Sequence, residues 1–208
     1  MLKVGVTGGI GSGKSLVCRL FELLGIPVYD SDYRAKWVMQ HHLGLRQELI
    51  DAFGPQAFDV SSGQLDRKFL AQLVFNNPEK LTLLNSLVHP RVKQDFTDWA
   101  AAQTNVPYLI KEAALMYETE AHKQVEKMVL VLAPVSLRLA RTQKRDPHRT
   151  ATDIEAIMQK QLDDSEKIKR ADFLIQNDEQ QLVIPQVLAI HDKLLALAQE
   201  VTENASPV

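Results

Sequence analysis

Two rhythms of apolar and polar positions run along the chain. The segment Leu2-Lys3-Val4-Gly5-Val6 is nearly all apolar and predicts a strand buried on both faces, as do Val106 to Ala113 and Lys127 to Ala133. Val17 to Leu24 mixes apolar and polar positions as a helix packed on a sheet does, and Gly25 supplies its stop. Ile26-Pro27-Val28-Tyr29 reads as a second strand. After it, Tyr33 to Met39 has helical character, with Asp30 or Ser31 available as a cap.

Helices are expected from His42 to Phe53 and from Arg67 to Phe75, separated by the turn-rich stretch Gly54 to Gly63, which together read as an inserted subdomain. Pro78 opens a longer helical region carrying Leu81, Leu84, Leu87 and Val88, which Pro90 is expected to interrupt or kink. Ser136 to Lys169 is helical and crowded with charge, Ala171 to Gln176 is a last strand, and Leu182 to Ala198 a closing helix. Thr202 to Val208 reads as a polar tail. Strands alternating with helices predict an α/β fold with a parallel sheet flanked by helices, which binds its ligand beyond the carboxyl ends of the strands.

Three candidate chemical features fall at such ends. Gly8 to Ser15 reads Gly-Gly-Ile-Gly-Ser-Gly-Lys-Ser, of the form G-x-x-x-x-G-K-[ST], directly after the first strand. Glycines here let consecutive N–H groups point inward at a phosphate chain, and the loop feeds the positive end of a helix. Lys14 is placed to reach the β- and γ-phosphates, and the Ser15 hydroxyl to ligate Mg²⁺. The plainer alternative is a glycine-rich turn joining strand to helix. Asp30 and Asp32 follow the second strand. There a carboxylate can deprotonate a hydroxyl acceptor, with Asp32 the candidate base and Asp30 helping through magnesium waters or orientation, or one of the two simply caps a helix. Glu112 ends the third strand, where it either partners magnesium through water or is a surface charge at a strand edge.

Composition narrows the classes. The 208 residues suit one domain with appendages, and 24 basic against 26 acidic residues leave no basic excess for bulk nucleic acid binding. Cys18 is the only cysteine, so no intrachain disulfide or cysteine zinc cluster can form, and its place in the first helix suggests core packing. No apolar stretch approaches the roughly 18 to 20 residues that span a bilayer. With no charged-then-apolar leader, the expectation is a mature chain starting at the first strand, cytoplasmic, without membrane or nucleic acid partners.

Arg138, Arg141 and Arg145 stand three and then four residues apart, along one face of a helix, and Arg149 follows Pro147. Such a face either closes over a triphosphate, where guanidinium forks donate to phosphate oxygens in pairs, or stays solvated with Glu155, Asp163 and Asp164 as counterions. His89-Pro90-Arg91 combines a ring, a backbone constraint and a cation, and serves either binding or structure.

Taken together these pieces resemble the dephospho-coenzyme A kinase family, from Val4 to about Leu195. The marks are Thr7 to Ser15, Asp30-Ser31-Asp32, His89-Pro90-Arg91-Val92, Arg145-Asp146, Gln161 with Glu166-Lys167, and Ala171-Asp172 followed by Asn177. The resemblance implies one kinase domain over residues 1–208 of the P-loop nucleoside triphosphate hydrolase type, with a helical acceptor-binding region near 31–95 and a mobile lid near 136–170. It implies transfer of phosphoryl from ATP, with Mg²⁺, to the ribose 3′-hydroxyl of dephospho-coenzyme A, giving ADP and coenzyme A. Asp32 would be the acceptor-side base, while Lys14 and Arg145 would stabilise the transferring group. ATP would meet Gly11, Ser12, Gly13, Lys14, Ser15, Leu16, Arg141 and Asn177, the last toward the adenine, and Ser15 would hold the metal. Asp30, His89 and Arg91 would shape the acceptor pocket. A monomer is expected, with larger assemblies left open.

Two departures stand out. Leu16 replaces the family's usual Thr, leaving a backbone N–H but no second hydroxyl, and Ala114-Leu115-Met116-Tyr117-Glu118 keeps the acid of a Pro-Leu-Leu-Phe-Glu run but loses its proline. Competing readings are a kinase for another nucleoside or nucleotide, and a nucleotide switch. Against a guanine switch, no Asn-Lys-x-Asp run occurs.

Overall fold

In the computed structural model, residues 1–75 and 77–204 are described. The apolar runs become β1 (Leu2–Thr7), β2 (Val28–Asp30), β3 (Tyr108–Glu112), β4 (Lys127–Leu132) and β5 (Phe173–Gln176). They form one parallel sheet in the order β2-β3-β1-β4-β5. Chain connections leave β1 first toward β2 and β3, then cross to β4 and β5. The carboxyl end of β1 therefore sits where such sheets open a crevice for ligand.

Two compact units divide the chain, residues 1–30 with 103–208 and residues 31–102. In the first, α1 (Lys14–Leu23) and α9 (Val183–Asn204) cover one sheet face. Val17, Cys18 and Phe21 pack with Val4, Val6, Val129, Val187 and Leu194 in a single core, so Cys18 is the core residue expected of it. Strand alternation turns Gly5 to the other face, against Val125 and Met128. There Met116, Tyr117 and Leu162 complete a smaller apolar cluster. The same unit contains α6 (Val135–Arg145), α7 (Ala151–Gln159) and α8 (Asp164–Arg170), three helices where the sequence reads as one charged helical stretch. Thr150 and Asp153 close a capping box that starts α7 afresh.

Gly25 does stop α1. It has φ 82°, and its N–H bonds the Glu22 carbonyl at 2.9 Å while Ile26 N–H bonds that of Phe21 at 3.1 Å, a Schellman pair. Nothing lies within 4 Å of where a Cβ would stand, so Gly25→Ala tests backbone strain alone. It should lower stability by about 1 kcal/mol, read as a reduced urea midpoint with unchanged slope.

The second unit is helical: α2 (Ser31–His41), α3 (Leu43–Phe53), a 3-10 turn at Pro55–Ala57, α4 (Arg67–Phe75) and α5 (Pro78–Ala101). Val38, Leu45, Leu49, Phe53, Phe58, Leu70 and Val88 form its own core. Its turn-rich stretch is tied by the antiparallel bridge Phe58–Leu65 and by Asp59, whose carboxylate accepts from Ser61 and Ser62.

Three boundaries differ from expectation. His42 does not start α3 but caps it, its Nδ1 accepting from Leu45 N–H at 3.1 Å. Pro90 does not interrupt α5, which continues through it for 24 residues. The ring removes one backbone donor, and burial of Val88, Phe96 and Ala100 along the helix outweighs that loss. Thr202 and its neighbours through Asn204 belong to α9 rather than to a tail, because the helical apolar spacing of Val187, Ile190, Leu194 and Ala198 carries the helix on. The remainder of that tail, residues 205–208, lies outside the described residues. Among the described residues, no helix is long and apolar enough to cross a membrane.

Candidate active site

β1 delivers the loop Gly8 to Ser15 from a buried start, where Thr7 Oγ1 donates to the Ala113 carbonyl at 2.9 Å. Gly11 and Gly13 adopt φ 77° and 96°, left-handed values that favour glycine. Along the loop, alternate carbonyls are each held by a side chain. Lys14 Nζ donates to Gly8 O at 2.9 Å, Arg138 Nε to Ile10 O at 3.0 Å, and Asn177 Nδ2 to Ser12 O at 2.8 Å. Turning carbonyls away from the mouth of a loop turns its intervening N–H groups toward it, the arrangement that receives phosphate. Gly13 caps α1 with no side-chain hydrogen bond, and the first turn of α1 contains no acid. The positive end of the helix thus faces the loop with no acid of its own first turn against it.

An acidic edge lies beside it. Asp30 and Glu112 are register partners at the ends of β2 and β3, and Ser15 Oγ donates to Glu112 Oε1 at 3.2 Å. Burial pushes the Glu112 carboxyl above its usual range; Lys14 pulls it down, the Asp30 charge pushes it up again, and the Cys18 thiol and Ser15 hydroxyl lower it. Burial, then Glu112, likewise raises the Cys18 thiol. These oxygens fit magnesium, a hard cation that takes oxygen ligands and keeps several waters.

The arginines predicted to share one phosphate-facing surface have three different environments. Arg138 is 5% exposed and is spent on Ile10 and on Asp164, at 2.9 Å from Nη1 to Oδ2. The expected counterion is therefore real and partly solvated, but the arginine it holds is buried against the loop. Arg141 donates to the Asn177 carbonyl at 3.0 Å and to Glu179 Oε1 at 3.0 Å. Arg145 is exposed and grips its neighbour Asp146 through Nε at 3.1 Å and Nη2 at 2.9 Å. Asn177 follows β5 and reaches the loop, not through periodicity but because its own N–H is fixed by Leu132 O at 2.8 Å.

In the second unit, Asp32 stands exposed in the first turn of α2. His89 is exposed on α5, and Arg91 Nη2 donates to Glu48 Oε1 at 2.7 Å. Arg34, not singled out by its sequence, pairs with Asp95 through both Nε and Nη2 and lies 4.2 Å from the Trp37 ring centroid. Sequence reasoning also missed the role of Gln161 behind the loop: its Oε1 accepts from Ile10 N–H at 2.9 Å. Only its place among the family marks distinguishes Gln161 in the sequence.

A phosphate loop at the central strand of a parallel sheet, with a lysine, a hydroxyl and an acidic edge around it, defines a nucleotide-binding protein of the P-loop kinase class. The family model of dephospho-CoA kinase matches residues 2–182, and the chain belongs to the dephospho-CoA kinase family. A dephospho-CoA kinase of Bacteroides fragilis is 38% identical over 192 residues, 91% of each chain. The crystal structure of TT1252 from Thermus thermophilus matches with TM-score 0.81 and 31% identity, over 93% of this chain and 97% of that one. The Campylobacter jejuni dephospho-CoA kinase, at 23% identity and TM-score 0.64 over 98% of both chains, shares the fold.

Proposed function

We propose that this chain transfers the terminal phosphoryl group of ATP to the ribose 3′-hydroxyl of dephospho-CoA, giving CoA and ADP in the last step of CoA biosynthesis. The observation that carries the reading is the loop itself, with its alternate carbonyls tied back and Lys14 at its rim, in a chain of this family. The loop amides and Lys14 bind the β- and γ-phosphates. Asp32 accepts the proton of the ribose hydroxyl as its oxygen bonds to the γ-phosphorus. The bond from that phosphorus to the bridging oxygen breaks, and the electron pair leaves with ADP. Arg145 exchanges Asp146 for the transferring group. Magnesium, held by Ser15 with Asp30 and Glu112 through water, would supply charge neutralisation at the phosphate oxygens. Asn177 and Arg141 border the adenine side. The helical unit, with His89 and Arg91, takes the acceptor, and the lid near 136–170 moves in its middle, between Arg138 and Gln161, which hold the loop. The cytoplasm is the expected compartment and a monomer the expected form.

The direct test supplies purified protein with Mg-ATP and dephospho-CoA. CoA should form in equal amount to ADP. Absence of CoA at saturating substrates, or equal transfer to unrelated nucleosides, would sink the assignment. A gain-of-function variant probes the departure at Leu16, which is 52% exposed beside Ser15. Leu16→Thr adds a hydroxyl where only an amide serves, and should lower KM for ATP by about fivefold, since one hydrogen bond contributes about 1 kcal/mol net. Steady-state titration of ATP at fixed dephospho-CoA reads it.

A further inference from the structure

The peptide groups of Ile10 are held from both sides by residues outside the phosphate motif. Gln161 Oε1 accepts from Ile10 N–H at 2.9 Å, and Arg138 Nε donates to Ile10 O at 3.0 Å. Arg138 is itself fixed. Its Nη1 meets Asp164 Oδ2 at 2.9 Å, and Asp164 Oδ1 accepts from Lys167 Nζ at 3.2 Å. Arg138 and Lys167 are 5% and 1% exposed, so both cations are held away from solvent, where rearrangement is costly, while the Asp164 side chain between them is partly solvated.

A second, steric observation points the same way. A Cβ on Gly9 would run into the Arg138 guanidinium, and one on Gly11 would run into the Arg138 carbonyl and stand 2.7 Å from Thr142 Oγ1. Thr142 Oγ1 in turn donates to that same carbonyl at 2.7 Å. Gly9 and Gly11 are thus small for α6 as well as for phosphate. Neither of the two sits at an obligatory glycine position of the G-x-x-x-x-G-K-[ST] form.

We infer that Arg138 and Asp164 are positioning residues for ATP: α8, through Asp164, sets Arg138, and Arg138 sets the Ile10 peptide and so the direction of the loop amides. Neither residue touches phosphate in this scheme. The inference rests on the loop being the ATP site. Its energetic logic is preorganisation, since donors already aimed need not be reoriented when the triphosphate arrives.

The test compares Arg138→Met, Arg138→Lys and Asp164→Asn with the unsubstituted protein by ATP titration, by KM for each substrate and by thermal melting. Arg138→Met should raise Kd and KM for ATP about tenfold, equivalent to about 1.4 kcal/mol, and leave KM for dephospho-CoA within about twofold. Arg138→Lys, which keeps a cation and a donor, should recover part of that loss. Asp164→Asn should move ATP affinity in the same direction by about threefold, and combining it with Arg138→Met should add nothing further. Unchanged ATP affinity in folded variants overturns the inference, as does an equal rise in both KM values. If Arg138→Met fails to fold, Asp164→Asn decides, because its site is partly solvated and its substitution mild. An unsubstituted protein that fails to bind ATP would instead overturn the reading of the loop, and the inference with it.

Discussion

Asp32→Ala is expected to lower kcat by about 10²- to 10⁴-fold, the usual worth of a positioned general base, while Kd for ATP stays within about twofold of the parent. The split follows from where the residue sits. Asp32 lies in α2, outside the loop that binds the nucleotide, and outside the strand pair that holds Asp30 against Glu112. The side chain is exposed in the first turn of its helix, so removing it should cost about 0.3–1 kcal/mol of helix-end electrostatics and no core packing. Asp32→Asn sharpens the comparison, because the amide preserves shape and loses only basicity. Single-turnover phosphoryl transfer with bound ATP measures the effect. Normal turnover in Asp32→Ala, with Asp30→Asn inactive, would move the base to Asp30.

Lys14→Met should produce the other large loss, with kcat/KM down by about 10³-fold. Methionine retains an unbranched side chain of similar length, so the chain path at the start of α1 should survive. What disappears is the cation, and with it the hydrogen bond to the Gly8 carbonyl at 2.9 Å. Without nucleotide, that bond holds the first carbonyl of the loop. With nucleotide, the same ammonium is proposed to serve the phosphates, so one substitution should remove both a support and a charge. Kinetics with ATP, together with a melting curve showing a folded variant, check it. Activity within tenfold of the parent would mean that the lysine does not meet the transferring group.

The sheet was legible because β1, β3 and β4 are mostly apolar runs, a pattern set chiefly by burial on both faces. The phosphate loop was legible because its requirement is local: small residues in a row, then a lysine and a hydroxyl. The arginine helix was not. Spacing put Arg138, Arg141 and Arg145 on one surface, but spacing is blind to what packs on it. One guanidinium is buried behind Ile10, one holds the β5 to α9 turn, and one remains at the surface. The interruption expected at Pro90 did not occur, for a related reason. Its cost is a single local hydrogen bond, and the helix that absorbs it is fixed by the apolar core formed with α2, α3 and α4. His42 looked like the first helical residue, since an imidazole acting as an N-cap acceptor has no strong signature.

The supports of the phosphate loop come from far along the chain. Ile10 is 128 residues from Arg138 and 151 from Gln161, and Ser12 is 165 from Asn177. During synthesis the groups that shape the glycine motif follow it by 128 to 165 residues, after the whole helical unit has been made. Contacts of such long separation form late, because the chain must close a large loop before they yield any gain. Nucleotide binding therefore waits for α6 and the residues that follow β5. A nascent chain stopped before α6 would contain every residue of the motif and still lack its shape, so ATP can help to stabilise the product of folding but has no site from which to guide its early steps.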